Sequence, residues 1–176
     1  MTASAESALI IAVPEVEPLV GRFREEYDSS GSVGVPAHVT LLYPFLAPHA
    51  IGTGDLAALA GIFASTASFD VTFRECRRFG GTVLWLTPEP SAPILSLMRR
   101  IFERWPECPP YDGSIPTRDV VPHLTVSDTV EDEEHLDRIE RALQAGLPVT
   151  ACVAEALLID SVTGSWTTRR RFSLES

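Results

Sequence analysis

Two tetrads in this chain, His38-Val39-Thr40-Leu41 and His123-Leu124-Thr125-Val126, hold the residues best suited to chemistry. Each runs histidine, apolar residue, threonine, apolar residue, and the chain has only four histidines in all. Histidine titrates near neutral pH, so one imidazole can accept a proton while a second, protonated, donates one. Two such rings on opposite sides of a phosphorus suit in-line displacement. One takes a proton from the attacking water, and the other protonates the leaving sugar oxygen. Threonine hydroxyls and backbone N–H groups can donate to the non-bridging phosphoryl oxygens as negative charge grows there. This chemistry requires no metal ion and no cofactor.

For the pairs to meet, each tetrad must be extended. Side chains alternate along a strand, so His38 and Thr40 share one face while Val39 and Leu41 take the other, and likewise for His123 with Thr125. The apolar faces then go to the core. The motifs sit in a longer repeat of strand with His-x-Thr, helix and hairpin, over residues 38–86 and again over 123–173. Neither half can bury a sheet face alone. The expected fold is α+β: two pseudo-symmetric lobes, each an antiparallel sheet with helices packed outside, around a central cleft. Residues 1–176 form one domain whose lobes share strands.

The remaining elements follow from local pattern. Ala8 to Val13 reads as a buried strand, and Pro18 opens a helix that runs to about Tyr27. The Gly/Ser-rich segment Asp28 to Pro36 is a loop, and Ala37 to Phe45 is the first motif strand. Asp55 to Ala64 has helical spacing, with Thr53 as a candidate cap. FDVTFRECRRF and TVLWLTP flank Gly80-Gly81 as a hairpin. Ser91 to Trp105 is an amphipathic helix with Ile94, Leu95, Leu97, Met98, Ile101, Phe102 and Trp105 on its apolar face. Five prolines between Pro106 and Pro122 predict an ordered loop or a lid, leading into the strand VPHLTVS. The acidic run from Glu131 opens a helix that Gly146 stops. PVTACVAEALLIDS and SWTTRRRFSL form a second hairpin around Val162 to Ser165, with Gly164 as its turn residue.

Composition bounds the function. At 176 residues the chain fits one domain able to bury roughly 70% of its unfolded surface. A formal charge of −10 opposes non-specific adhesion to long double-stranded nucleic acid and favours small substrates. Three cysteines without CxxC spacing give neither a disulfide framework nor a zinc signature and fit a reducing cytoplasm. No basic leader precedes the short apolar run at Ala8 to Val13, and nothing is long enough to span a membrane. The acidic residues Glu131 to Glu134 read as helix N-terminal electrostatics, not as a metal site.

Other candidates carry two readings each. Arg169, Arg170 and Arg171 either reach the cleft or protect an edge strand. Arg118 either approaches a phosphate or pairs with Asp119 or Asp112. Tyr43, Phe45 and Trp166 either stack a nucleobase or fill the core. His49 and His135 read as solvated surface.

The sequences HVTL and PHLTV resemble the paired motifs of the two-histidine (2H) phosphoesterases, which include the 2'-5' RNA ligase-like proteins and cyclic phosphodiesterases. Length, motif spacing and element order are similar throughout. The resemblance implies that His38 and His123 are the acid/base pair and that Thr40 and Thr125 are phosphate-binding hydroxyls. It implies a substrate that is a small nucleotide or RNA end bearing a 2',3'-cyclic phosphate, which hydrolysis opens. In some members the reversed reaction joins RNA ends. Some relatives bind nucleotides with little turnover, so a non-catalytic binding module using the same cleft is the competing reading. Pseudo-symmetry leaves the choice of base open, with a leaning to His123 for hydrolysis to a 2'-phosphate. Oligomeric state is not legible.

Overall fold

The computed structural model describes residues 5–176, so the first four residues of the expected 1–176 unit lie outside it. Among the described residues, eight strands form two four-stranded antiparallel sheets. The first sheet has the order β2-β1-β7-β8, from β2 (His38–Leu42), β1 (Ser7–Ala12), β7 (Glu155–Asp160) and β8 (Thr167–Ser173). The second has the order β5-β4-β3-β6, from β5 (Leu124–Ser127), β4 (Val83–Glu89), β3 (Phe69–Phe79) and β6 (Val149–Val153). Helices α2 (Thr53–Ala64) and α3 (Ala92–Arg104) cover the first sheet at β8 and β2, and α1 (Glu17–Tyr27) and α4 (Glu133–Gly146) cover the second at β5 and β3. The expected α+β architecture of two lobes with outer helices is what the chain adopts.

Each motif strand is the edge strand of its own sheet, and the two edges face each other across the middle of the molecule. The lobes are not the two sequence repeats. The β3–β4 hairpin that follows the first motif carries the second motif's strand, through Leu86 opposite Leu124 and Trp85 opposite Thr125. The first motif pairs back onto β1, with Ala12 opposite His38 and Ile10 opposite Thr40. The run PVTACVAEALLIDS is two strands and not one. It breaks at Ala154, with β6 joining the second sheet and β7 the first. Burial changes at the same point, from alternation along β6 to the wholly apolar interior of β7, a strand with neighbours on both sides.

Strand β1 is buried on both faces for the same reason. Leu9 and Ile11 enter the main core with Val39 and Leu41, while Ala8 and Ile10 face the cleft in a smaller cluster with Val35, Leu157 and Ile159. The main core runs continuously through residues of both sheets and all four helices.

Glycine positions separate turn chemistry from close packing. Gly80 and Gly81 take φ of +56° and +85°, and Gly164 takes +86°, as their hairpins require. Gly146 is the last residue of α4 and not a left-handed stop. A Cβ there would run into Leu19 Cδ1, so this glycine permits α1 and α4 to approach. Two further expectations need correction. Gly52 caps α2 and Thr53 is its first residue, while the Asp55 carboxylate accepts from the Gly52 N–H at 3.0 Å. Leu95 is 41% exposed, so it leaves the apolar face of α3 on which Ile94, Leu97, Met98 and Ile101 are buried.

Candidate functional site

His38, Thr40, His123 and Thr125 line one cavity of about 410 Å³ between the facing sheet edges. His38 and Thr40 project from β2 on the face opposite Val39 and Leu41, as strand alternation requires. His123 stands one residue ahead of β5, just after Pro122, and Thr125 lies within the strand.

The two imidazoles are held alike. His38 Nδ1 lies 2.8 Å from the Pro36 carbonyl oxygen, and His123 Nδ1 lies 2.7 Å from that of Val121, in each case two residues upstream. A carbonyl only accepts, so both Nδ1 atoms carry the proton and each neutral ring keeps its Nε2 lone pair for the cavity. Burial lowers the His38 pKa to about 4, with the nearby Arg24 guanidinium and the His123 ring adding to the effect. The Pro36 carbonyl and Asp28 oppose it. His123 is also lowered by burial, against the pull of the Val121 carbonyl. Phe79 and Trp85, stacked with ring centroids 4.4 Å apart, meet the His123 ring edge-on at 5.1 and 5.8 Å.

Behind the cavity, Arg24 of α1 is a buried cation, 2% exposed, paired at 2.6 Å with Asp28, which is equally buried. Its Nε donates to the Thr125 carbonyl at 3.1 Å and one terminal nitrogen to the Val35 carbonyl at 3.0 Å, while the other also reaches Ser30 Oγ at 3.0 Å. One guanidinium thus ties the backbone of the second motif to the loop that precedes the first. Sequence reading missed it, although its spacing of four from buried Val20 put it on the inner face of α1.

The rest of the cavity wall comprises Ala8, Ile10, Val33, Val35 and Ile159, the aromatic residues Tyr43, Tyr111 and Trp166, and the polar residues Glu6, Asp28, Ser29, Ser30 and Asp128. Of the aromatic candidates, Tyr43 and Trp166 reach the site, whereas Phe45 is a core residue packed edge-on against Trp105. Tyr111, also missed, comes from the proline-rich segment, where it and Asp112 take φ of +52° and +53°. Its N–H is fixed to the Tyr43 carbonyl at 2.7 Å. Such backbone is costly for residues other than glycine and here turns Tyr111 into the cavity.

The arginine candidates lie elsewhere. Arg118 is 83% exposed beside Asp119, and its groove against α3 contains neither histidine. Arg169 donates to the Pro48 carbonyl at 2.6 Å, and Arg171 pairs with Glu155. None of Arg169, Arg170 and Arg171 lines the histidine cavity. His49 is exposed, and His135 lies edge-on to Tyr27 on α4, away from the site. A larger hollow of about 1060 Å³, bordered by Glu15, Glu17, Glu25 and Glu155, holds none of the motif residues. Among the described residues no group of three or more His, Cys, Asp or Glu side chains is placed to hold a metal ion, Cys76, Cys108 and Cys152 are free thiols, and no helix is long and apolar enough to cross a membrane.

Comparison with known proteins agrees with this architecture. A Bacillus pumilus (strain SAFR-032) protein whose name places it among the phosphoesterases is 23% identical over 163 residues, 91% of each chain. The structure of E. coli LigT complexed with 3'-AMP superposes with a TM-score of 0.60 at 18% identity, over 97% of this chain and 98% of that one. The protein TT0787 of Thermus thermophilus gives a TM-score of 0.55 at 16% identity, over 97% of this chain and 98% of that one. At these identities the structural likeness speaks for the fold. The profile of the 2'-5' RNA ligase superfamily matches residues 12–164, a span that includes both His-x-Thr motifs, and the chain therefore belongs to that superfamily of two-histidine phosphoesterases.

Proposed function

We propose that this protein opens 2',3'-cyclic phosphates of nucleotides or short RNA ends by two-histidine acid/base catalysis, without a metal ion. The observation that carries the reading is the matched pair of imidazoles, one from each motif, each with Nδ1 tied to the carbonyl two residues upstream and Nε2 left for a shared cavity. With phosphorus between them, the neutral ring takes a proton from water as its oxygen bonds to phosphorus. The protonated ring gives its proton to the ribose oxygen as the P–O bond breaks. Thr40 and Thr125 donate to the non-bridging oxygens. The same steps in the same direction, with a ribose hydroxyl in place of water, would join RNA ends: its oxygen bonds to phosphorus while the ring P–O bond breaks and the leaving ribose oxygen takes the proton. E. coli LigT, of the same fold, has been crystallised with 3'-AMP, with ATP and with NADP+, which supports a nucleotide as occupant.

The charge around the rings bears on which one is the base. Arg24 acts on His38 and opposes its protonation, and the larger downward shift is at His38. A single proton shared by the pair therefore resides on His123. In this reading His38 is the base and His123 the acid, the reverse of the leaning from sequence.

The kcat/KM profile against pH is expected to be a bell on the acid side of an ordinary histidine pair. Its acid limb, near pH 4, reflects protonation of the base, and its alkaline limb, below pH 6.5, reflects loss of the acid's proton. In kcat the bell should move to higher pH, because a bound phosphodiester anion favours the imidazolium. A kcat/KM profile still rising above pH 7.5 would contradict the electrostatics described.

The function itself is tested with a panel of 2',3'-cyclic nucleotides and short RNAs with cyclic phosphate ends, assayed with and without EDTA. Expected is ring opening that the chelator leaves unaltered. Calorimetric binding with no product formed would instead establish a binding module.

A further inference from the structure

Strand β1 lays out the cleft along a line. Ala12 pairs with His38 and Ile10 with Thr40, and then Ala8 and finally Glu6 follow along the same face. Glu6 lies four residues from Ile10, roughly 13 Å along a strand. That span accommodates a nucleoside whose phosphate sits at the histidines and whose sugar lies over the apolar floor of Ala8, Ile10 and Ile159.

The far end of this line is built from Tyr43, Tyr111 and Trp166 with the Glu6 carboxylate. The Tyr43 and Trp166 rings stand 6.1 Å apart at 66°, forming a corner that offers one ring face and one ring edge to a flat group. Glu6 is anchored by its backbone: its N–H donates to Ser161 Oγ and its carbonyl accepts from the Ser161 N–H, both at 3.0 Å. Tyr43 Oη donates to Glu6 Oε2 at 2.9 Å. Burial and the adjacent carboxylate push the Tyr43 pKa up to about 12, so this hydroxyl keeps its proton and remains the donor of the pair.

Three carboxylates line the cavity, and two are already engaged. Asp28 receives Arg24, Ser30 and the Gly31 N–H, and Asp128 receives both the N–H and the hydroxyl of Ser29. Glu6 has one side-chain donor, Tyr43, among the described residues. A carboxylate has about four acceptor positions, so Glu6, an exposed residue on the wall of the cavity, keeps acceptor positions open to solvent and to a ligand bound there.

Building on the proposed function, we propose that Glu6 selects the nucleobase by accepting a hydrogen bond from an exocyclic amino group. Cytosine and adenine present that amino group. Uracil and hypoxanthine carry a carbonyl oxygen at the same place, which a carboxylate repels. Charge-assisted acceptance of this kind, lost when the donor is absent, corresponds to a preference of roughly 10- to 100-fold.

The test compares kcat/KM for the 2',3'-cyclic phosphates of cytidine and uridine, and of adenosine and inosine, with ribose 2',3'-cyclic phosphate as a base-free reference. The wild-type protein should favour the amino-bearing member of each pair by that factor. Glu6→Gln, whose carboxamide both donates and accepts, should bring both ratios to within about threefold of unity. If the base-free substrate is opened but cytidine and uridine substrates are handled equally, Glu6 does not select the base and the histidine mechanism stands. If Glu6→Gln lowers turnover of every substrate by one factor, the base-free one included, Glu6 serves the structure and the proposal fails. If no substrate is opened, the proposed function fails and this inference with it.

Discussion

Alanine at His38 or at His123 is expected to lower kcat/KM for a 2',3'-cyclic nucleotide by about 10²- to 10⁴-fold, the range that positioned general acids and bases contribute. Neither ring is a main support of the fold. Each is partly exposed in the cleft and, among the described residues, hydrogen-bonded only to a carbonyl two residues away, while Val39, Leu41, Leu124 and Val126 carry the packing of the motif strands. The His123 ring also touches Phe79 and Trp85, so His123→Gln accompanies the alanine variant as a control that retains more of the volume. Unfolding midpoints measured for all variants separate lost chemistry from lost structure. Since the two rings act on one phosphorus, the double variant should lose little more than either single one. Turnover within tenfold of wild type in either single variant would exclude that ring as acid or base. Binding of the nucleotide product should largely survive, because the threonines, the apolar floor and the aromatic corner remain.

What the sequence made legible depended on how local the physics was. Alternation around His38 and His123 placed each histidine with its threonine, and Gly80-Gly81 and Gly164 marked their turns because the needed φ is a property of the residue itself. The exchange of hairpins between the repeats was out of reach, since nothing within FDVTFRECRRF states that it will pair with β6 and carry β4 against β5. The break at Ala154 left a trace in the change from alternating to continuous apolar residues, yet a run of fourteen strand-like residues reads most simply as one strand.

The site was half legible for the same reason. Tyr111 enters the cavity through left-handed backbone in a segment crowded with prolines, where periodicity gives no face. Glu6 precedes β1 and owes its place to Ser161, 155 residues away. Arg169, Arg170 and Arg171 were candidates for the cleft, as much as for edge protection, because charge is visible in a sequence and its partners are not. The cation that matters, Arg24, sits among Arg22, Glu25 and Glu26 and resembles an ordinary exposed helix residue.

Replacing Arg24 by methionine is therefore expected to be among the most damaging single changes outside the apolar core, at about 3–5 kcal/mol of folding free energy, as for breaking a buried ion pair from one side. The loss has two sources. Asp28, 2% exposed, is left buried without its cation, and the Val35 and Thr125 carbonyls lose their donors. Arg24→Lys should fall between the two, because a compact ammonium keeps the charge but not the planar fork that serves these partners together. Arg24→Met combined with Asp28→Leu should recover part of the stability, since the stranded buried carboxyl group is gone. Urea unfolding of the four proteins measures this order, and an Arg24→Met protein within about 1 kcal/mol of wild type would refute it. The lysine and methionine variants also report on chemistry. Arg24 helps to hold the His38 pKa down, so without it the acid limb of kcat/KM should move upward from about pH 4 toward, but not to, the ordinary histidine value, because burial remains the larger cause. In Arg24→Lys that limb should stay near its original place. A limb that moved equally in both variants would assign the effect to loosened backbone at Val35 and Thr125 instead of to the charge.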